Sequence, residues 1–267
     1  MKKGIKALGM NMEAIKGNGM IYEMNKEYTY DGDGVRCRHS GYHYFDSIRD
    51  IMTLYNLNES RLFECELNGD VFDHDNIVHC TNKIKLVREI NKEEIKKYIE
   101  DNLEELVNDR DWDVRREVAR QGYGLDILVN DKDEDVRREV ARHGYGLDKL
   151  INDENWKVRL EVARQGYGLD ILVNDWYCYV RLEVAKQGYG LDILINDKDW
   201  KVRMEVARQG YCLDILINDE DWNVRLEVAR QGYKLIKLSF DKNKIIKNEA
   251  RNKLCLSIKE KLISLFR

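Results

Sequence analysis

From Asn108 onward the chain repeats itself every 22 residues, six times, with copies starting at Asn108, Asn130, Asn152, Asn174, Asn196 and Asn218. A fixed period of this kind means that one small unit stacks on copies of itself, because a single unit cannot bury its apolar side alone. The consensus reads N-D-x-x-W-x-V-R-x-E-V-A-R-Q-G-Y-G-L-D-I-L-V/I. The second-place Asp, the seventh- and eighth-place Val-Arg, the tenth-place Glu and the Gly-Tyr pair recur in all six copies. Each copy predicts two short helices. The first runs from the Trp position to the Gln before Gly-Tyr, with an Asp/Asn cluster in front for N-capping and a glycine (Gly122, Gly144 and their equivalents) to close it left-handed. The second, Leu-Asp-Ile-Leu-Val, is too short to stand without its neighbours.

A helical wheel of the first piece assigns the side chains. The two Val (Val114 and Val118 in the first copy) form one apolar arc, and the Trp, the ninth-place Leu/Met and the Ala (Trp222, Leu226, Ala229 in the last) form a second. Between the arcs falls the eighth-place arginine: Arg115, Arg137, Arg159, Arg181, Arg203 and Arg225. A guanidinium flanked by apolar residues needs a carboxylate. The Asp of the second piece (Asp126, Asp148, Asp170, Asp192, Asp214) or that of the loop can supply it, giving an inter-repeat ladder; ligand binding is the alternative. The opposite arc carries the tenth-place Glu and a second basic row, Arg120, Arg142, Arg164, Lys186, Arg208 and Arg230. Three residues apart, Glu and Arg pair along a helix surface. This row is either a solvated charge stripe or a binding face for an extended partner. In the fourth copy Cys178 takes the Trp place, and Trp176, Tyr177 and Tyr179 crowd around it. The four regular Trp are expected to pack between repeats, whereas Trp176, Tyr177 and Tyr179 are candidates for a contact site.

The run Asp111 to Arg120, D-W-D-V-R-R-E-V-A-R, followed by a turn and Leu-Asp-Ile-Leu-Val, resembles the leucine-rich repeat variant family and, more loosely, HEAT-like repeats. The resemblance covers residues 108–239 and implies a right-handed superhelix that serves as a binding scaffold, with no catalytic residues. Relatives build the turn with Asn and Pro; here Gln-Gly-Tyr-Gly replaces it, in a chain with no proline at all. The expected architecture is therefore mainly α: a right-handed α-solenoid over 108–239, a capping helix at 91–107, a second at 240–267, and a small α+β domain over 1–90. The C-terminal cap reads as a faded repeat, Ile246 to Arg251, followed by an amphipathic stripe of Leu254, Ile258, Leu262 and Phe266.

Residues 1–90 do not repeat. Strands are predicted at Ile21–Glu23, Glu27–Tyr30, Val35–His39, Arg61–Leu67 and Asn82–Ile90, with a helix at Phe45–Leu54. The motifs Ser40-Gly41-Tyr42-His43, Ser60 to Glu66 and Gly69-Asp70-Val71 resemble an uncharacterised domain family of phage and prophage proteins; where that family has S-G-F-H and K-G-F, this chain has S-G-Y-H and Lys6-Ala7-Leu8. A strand, a G-Y-H turn, a helix and an acidic strand also resemble ADP-ribosyltransferase-like folds. By that fold-level analogy His43 with Glu64 or Glu66 would orient substrate and stabilise charge. Cys37, His39 and His43 with Cys65, His74, His79 or Cys80 could offer N/S ligands, but the spacing matches no zinc module, so no metal and no cofactor are expected.

Composition narrows the partner. Residues 1–107 carry 15 basic and 20 acidic groups, 108–239 carry 22 and 26, and only 240–267, with 8 and 3, is basic. A broad electrostatic footprint for nucleic acid is missing. No apolar run approaches the roughly 18 residues of a membrane span, and no signal-peptide core opens the chain, which points to the cytoplasm and to six reduced cysteines. The expected function is non-catalytic recognition of a macromolecule, protein first. An enzyme whose repeats recruit its substrate, or nucleic-acid binding through the repeated arginines, are the alternatives.

Overall fold

In the computed structural model, which describes residues 2–15, 20–32, 41–73 and 77–265, the non-repeating segment folds as two antiparallel sheets. The larger has the order β1 (Lys2–Leu8), β4 (Arg61–Leu67), β7 (Lys83–Ile90), β2 (Glu27–Thr29). The smaller has the order β3 (Tyr42–Tyr44), β6 (His79–Thr81), β5 (Val71–Asp73). Strand β4 is central because both its neighbours pair along it, with a bulge between Glu64 and Cys65. Alternation buries Phe63, Cys65 and Leu67 of β4 and Ile84 and Leu86 of β7 against Leu8, Tyr44 and an aromatic trio of Tyr22, Tyr28 and Tyr42.

Several expectations shift here. β4 is as predicted, while Ile21–Glu23 contributes only an isolated bridge between Ile21 and Glu13. The helix is shorter than Phe45–Leu54: Phe45 is held extended by a bridge to Ile5, and Ser47 caps α1 (Ile48–Met52) by accepting from the Asp50 N–H. Strand β1 escaped detection because K-K-G-I-K-A-L shows no clean period-two pattern. The predicted strand Val35–His39 lies outside the described residues. Cys80 is fully buried and disulfide-bonded, so the expectation of reduced thiols fails there, while Cys65, Cys178, Cys212 and Cys255 are free. Spacing along the chain does not reveal a bond that tertiary pairing creates.

Two units follow one another, Met1–Tyr145 and Gly146–Arg267. The first holds the sheets, α1, α2 (Lys92–Asp101), α3 (Leu103–Val107), α4 (Trp112–Arg120), α5 (Leu125–Leu128) and α6 (Glu134–Arg142). The second holds α7 (Leu147–Leu150), α8 (Trp156–Arg164), α9 (Leu169–Leu172), α10 (Cys178–Lys186), α11 (Leu191–Leu194), α12 (Trp200–Arg208), α13 (Leu213–Leu216), α14 (Trp222–Arg230), α15 (Leu235–Leu238) and α16 (Lys244–Leu265). Both helices of every repeat form as expected. Within the first unit α4 packs on α6; within the second, α8, α10, α12, α14 and α16 pack in succession. The core is narrow: the two Val, the Ala and the last Leu of each repeat are essentially inaccessible, while the Trp is only half-buried at its flank.

Two glycines per repeat make the turn. Gly188 (φ +74°) closes α10 with open space where a Cβ would stand, whereas a Cβ on Gly190 (φ +59°) would collide with Val173 of the preceding repeat. Gly124 and Gly168 meet Val107 and Ile151 in the same way. Cys212 and Lys234 take this place in the last two repeats and keep the left-handed backbone, at φ of 45° and 42°. Two alanine substitutions separate the causes. Gly188→Ala is expected to cost about 1 kcal/mol, the left-handed penalty alone. Gly190→Ala is expected to cost about 1–3 kcal/mol more from overpacking, both read by urea unfolding.

Candidate binding surfaces

The buried arginines explain how one repeat holds the next. Arg115 donates from Nε and Nη2 to the carboxylate of Asp131 at 2.5 and 2.9 Å, and from Nη1 to the carbonyl of Asp109 at 2.7 Å. The pattern recurs as Arg159 to Asp175, Arg181 to Asp197, Arg203 to Asp219 and Arg225 to Asp241, always sixteen residues ahead. Each Asp also accepts the backbone N–H two residues on, as Asp197 does from Asp199. The partner is thus the loop Asp. The second-helix Asp126, Asp170, Asp192 and Asp214 stand exposed. A rigid fork satisfied by one carboxylate and a carbonyl has little left for a ligand.

The first unit extends this ladder into the sheet domain. Arg49 of α1 donates from Nε and Nη2 to Asp109 at 2.9 and 2.8 Å, as a preceding repeat's arginine would. The Leu57 N–H donates to Glu117 at 2.9 Å, and α1 packs on α4. The cap expected from 91–107 alone is therefore shared: α3 stands as the second helix of a preceding repeat, and α1 covers the first helix of the first.

The tenth-place glutamates overturn the picture of a solvated stripe. Glu117, Glu139, Glu161, Glu205 and Glu227 are buried, and the second basic row leans back onto them. Arg120 bridges Glu117 and Glu139 at 2.6 and 3.1 Å; Arg208 holds Glu205 at 2.6 Å and reaches Glu227 at 3.7 Å. Arg164, Lys186 and Arg230 pair with Glu161, Glu183 and Glu227 likewise, and Arg142 with Glu139. Apart from the more covered Arg120, these side chains stay about half exposed, but their charges face carboxylates of the array.

The fourth repeat departs from this regularity. Trp156 stacks on Tyr177 with ring centroids 4.4 Å apart and on Tyr179 at 5.6 Å, and Trp176 meets Tyr177 edge-on at 5.7 Å. Trp176 is 68% exposed and lies 5.2 Å from the Arg159 guanidinium, while Tyr179 is 40% exposed. The small Cys178 at the usual Trp place leaves room for the flanking rings; burial raises its thiol above the ordinary value, so it is held as the thiol. Lys201 sits 5.1 Å from the Tyr179 ring, and the Lys157 ammonium has no carboxylate partner among the described residues. The structure thus joins Trp176, Tyr177 and Tyr179 and adds Trp156, which periodicity alone had assigned to packing.

In the sheet domain, half-buried His43 lies opposite Cys80 on β3, while Glu64 and Glu66 lie on β4 of the other sheet. Glu64 is paired with Arg88 and Glu66 faces Lys85 at 3.8 Å. A residue singled out only as part of a motif proves unusual: Lys6 is buried, donates to the His43 carbonyl at 2.8 Å and sits 4.8 Å from the Tyr22 ring. Burial lowers its pKa to about 8, against the pull of Cys65. Cys37, His39 and His74 lie outside the described residues, and no group of three or more His, Cys, Asp or Glu that could hold a metal occurs among the described ones.

Residues 2–98 match a family described as a domain of unknown function (DUF7666), which covers the sheets and most of α2 and stops short of the repeats. No curated protein matches the chain. No helix among the described residues is long and apolar enough to cross a membrane.

Removing one partner of a buried ion pair leaves the other unpaired, so Arg181→Ala is expected to cost about 3–5 kcal/mol in urea unfolding. Arg164→Ala, at a half-exposed pair, is expected to cost under about 1 kcal/mol. Acid acts through the same carboxylates. Burial opposes ionisation of Asp109 and Asp241, but hydrogen bonds from Arg49 and Arg225, with a backbone N–H each, outweigh it and hold both below the usual carboxylate value. A depressed folded value stabilises above the unfolded pKa of about 4 and is lost as pH falls below it. Denaturation midpoints are therefore expected to be level between about pH 5 and 7 and to drop below about pH 4.

Proposed function

We propose that the chain is a non-catalytic binding scaffold whose repeats, of the leucine-rich-repeat-variant or HEAT-like kind and wound into a right-handed superhelix, grip a protein partner in the cytoplasm. One observation carries this: a cluster of Trp156, Trp176, Tyr177 and Tyr179 interrupts an otherwise uniform array and leaves its largest ring mostly in water. Rigid aromatic side chains bring large contact area at low entropic cost and dominate interface energetics. The resemblance of the sheet domain to a phage and prophage family supports a phage-encoded origin, with a host or defence protein as the partner.

The competing readings have less support. Phosphate recognition needs free guanidinium groups, and Arg120, Arg142, Arg164, Arg208 and Arg230, with Lys186, are engaged by glutamates. Charge stabilisation by Glu64 or Glu66 would first require release from Arg88 or Lys85. Affinity capture from cell lysate with the full chain, compared with Trp176→Ala/Tyr179→Ala, tests the proposal. A partner recovered at least about tenfold less by the double variant, consistent with a hot-spot loss of about 2 kcal/mol, supports it. Equal recovery of every bound protein by both chains refutes the patch as the anchor.

A further inference from the structure

The recurring charges of the array are largely neutralised within it, except at one place. Asp170, Asp192 and Asp214 are exposed and make no side-chain ion pair or hydrogen bond among the described residues. On the same short helices Ile171, Ile193 and Ile215 are 50–56% exposed, and Tyr167, Tyr189 and Tyr211 stand exposed just before them. Structural pairing accounts for neither the carboxylates nor the isoleucines. Repeated at three successive steps, they form a ridge that is apolar and acidic at once.

The opposite character occurs in the same unit. α16 is anchored on α14 and α15, where Ile246 and Ala250 are fully buried. Beyond Ala250 the helix continues to Leu265 with Leu256 and Ile258 59% and 58% exposed and Arg251 and Lys259 in solvent. Residues 251–267 hold five Lys or Arg and one Glu. Lys253 and Leu254 still lean on the last repeat, where Lys253 donates to the Arg230 carbonyl, and Cys255 to Lys259 are exposed. A short helix end is marginal in water by itself, so such an arm gains by lying on a surface. Like charge disfavours pairing of two arms, whereas the ridge offers both carboxylates and apolar side chains. The unbroken helix from its anchor prevents the arm from turning back onto α9, α11 and α13 of its own chain. The arm from Cys255 to Leu265 is about 16 Å long at about 1.5 Å per residue. Three repeats, two helix-to-helix steps of about 8–10 Å, run about 16–20 Å.

We infer that the far half of α16 of one copy docks along the Tyr/Asp/Ile ridge of a second copy. The contact joins two different surfaces, so it propagates from copy to copy into a ring or a filament. It involves none of the aromatic cluster, and its failure leaves the proposed partner site untouched.

Sedimentation velocity of the full chain over a range of concentrations and salt tests this. The wild type is expected to run as species above the 31.6 kDa monomer at low salt and to dissociate as salt rises. Asp170→Lys/Asp192→Lys/Asp214→Lys and Arg251→Glu/Lys259→Glu are each expected to run as monomers. An equimolar mixture of the two is expected to recover association, because the reversed ridge then meets the reversed arm. All the substituted residues are exposed, and circular dichroism checks that each variant is folded. Leu256→Ser/Ile258→Ser, which leaves every charge in place, is expected to be monomeric too. A wild type that stays monomeric throughout overturns the inference, as does association that the ridge variant leaves unchanged. Glu93→Gln/Glu104→Gln/Glu220→Gln, which removes three exposed acids elsewhere, is expected to associate like wild type; its failure to do so overturns the inference by showing that net charge alone governs association.

Discussion

A guanidinium buried between repeats and satisfied by an aspartate sixteen residues ahead is the interaction on which the array depends. Taking both charges out of water costs several kcal/mol per ion, which is recovered only if every donor and lone pair finds a partner. Here each guanidinium nitrogen is used: two N–H groups grip the carboxylate, a third takes a carbonyl, and a backbone N–H adds to the aspartate, as at Arg181 and Asp197. An apolar pair could supply comparable stability but would fix the step between repeats less sharply. The fork geometry of Arg allows few offsets, so the same two-pronged grip recurs at Arg115 and at Arg225.

That dependence explains what happens where repeats run out. The first copy has an aspartate, Asp109, with no preceding repeat to neutralise it, and Arg49 of the sheet domain provides the missing fork. The Leu57 N–H on Glu117 completes the second row of the same end. The sheet domain thus acts in part as a terminal repeat, and truncating it exposes an uncompensated carboxylate as well as apolar surface. At the other end Asp241 closes the ladder, and α16 packs on α14 and α15 through Ile246 and Ala250.

Once the structural charges are assigned, the surface sorts itself. The rows most conspicuous in the sequence are occupied within the array, the eighth-place Arg by the second-place Asp of the next repeat and the thirteenth-place cation by the tenth-place Glu. What remains on the surface is less regular or less charged: the aromatic cluster around Trp176, and the row of Asp and Ile on the second helices, where the last repeat substitutes Ile236 and Lys237. Both the regularity and its interruptions have physical content, since the first keeps the step and the second creates a surface unlike its neighbours.

The sequence by itself determined the period, both helices of every repeat, the burial of Val114, Val118 and their equivalents, and the need of the buried arginine for a carboxylate, because all of these follow from local periodicity and the cost of an unpaired charge. Strand β4 and the approximate place of α1 were legible for the same reason. Only the tertiary structure decided which aspartate answers each arginine, since Asp126 and Asp131 are equally available along the chain and differ only in where the next repeat lies. It likewise decided that Glu117 is buried, that Trp156 belongs with Tyr177 and that Arg49 completes the ladder. Each of these is a contact between residues 16 to 60 positions apart, and such distances are set by how units stack, which no single helical wheel contains.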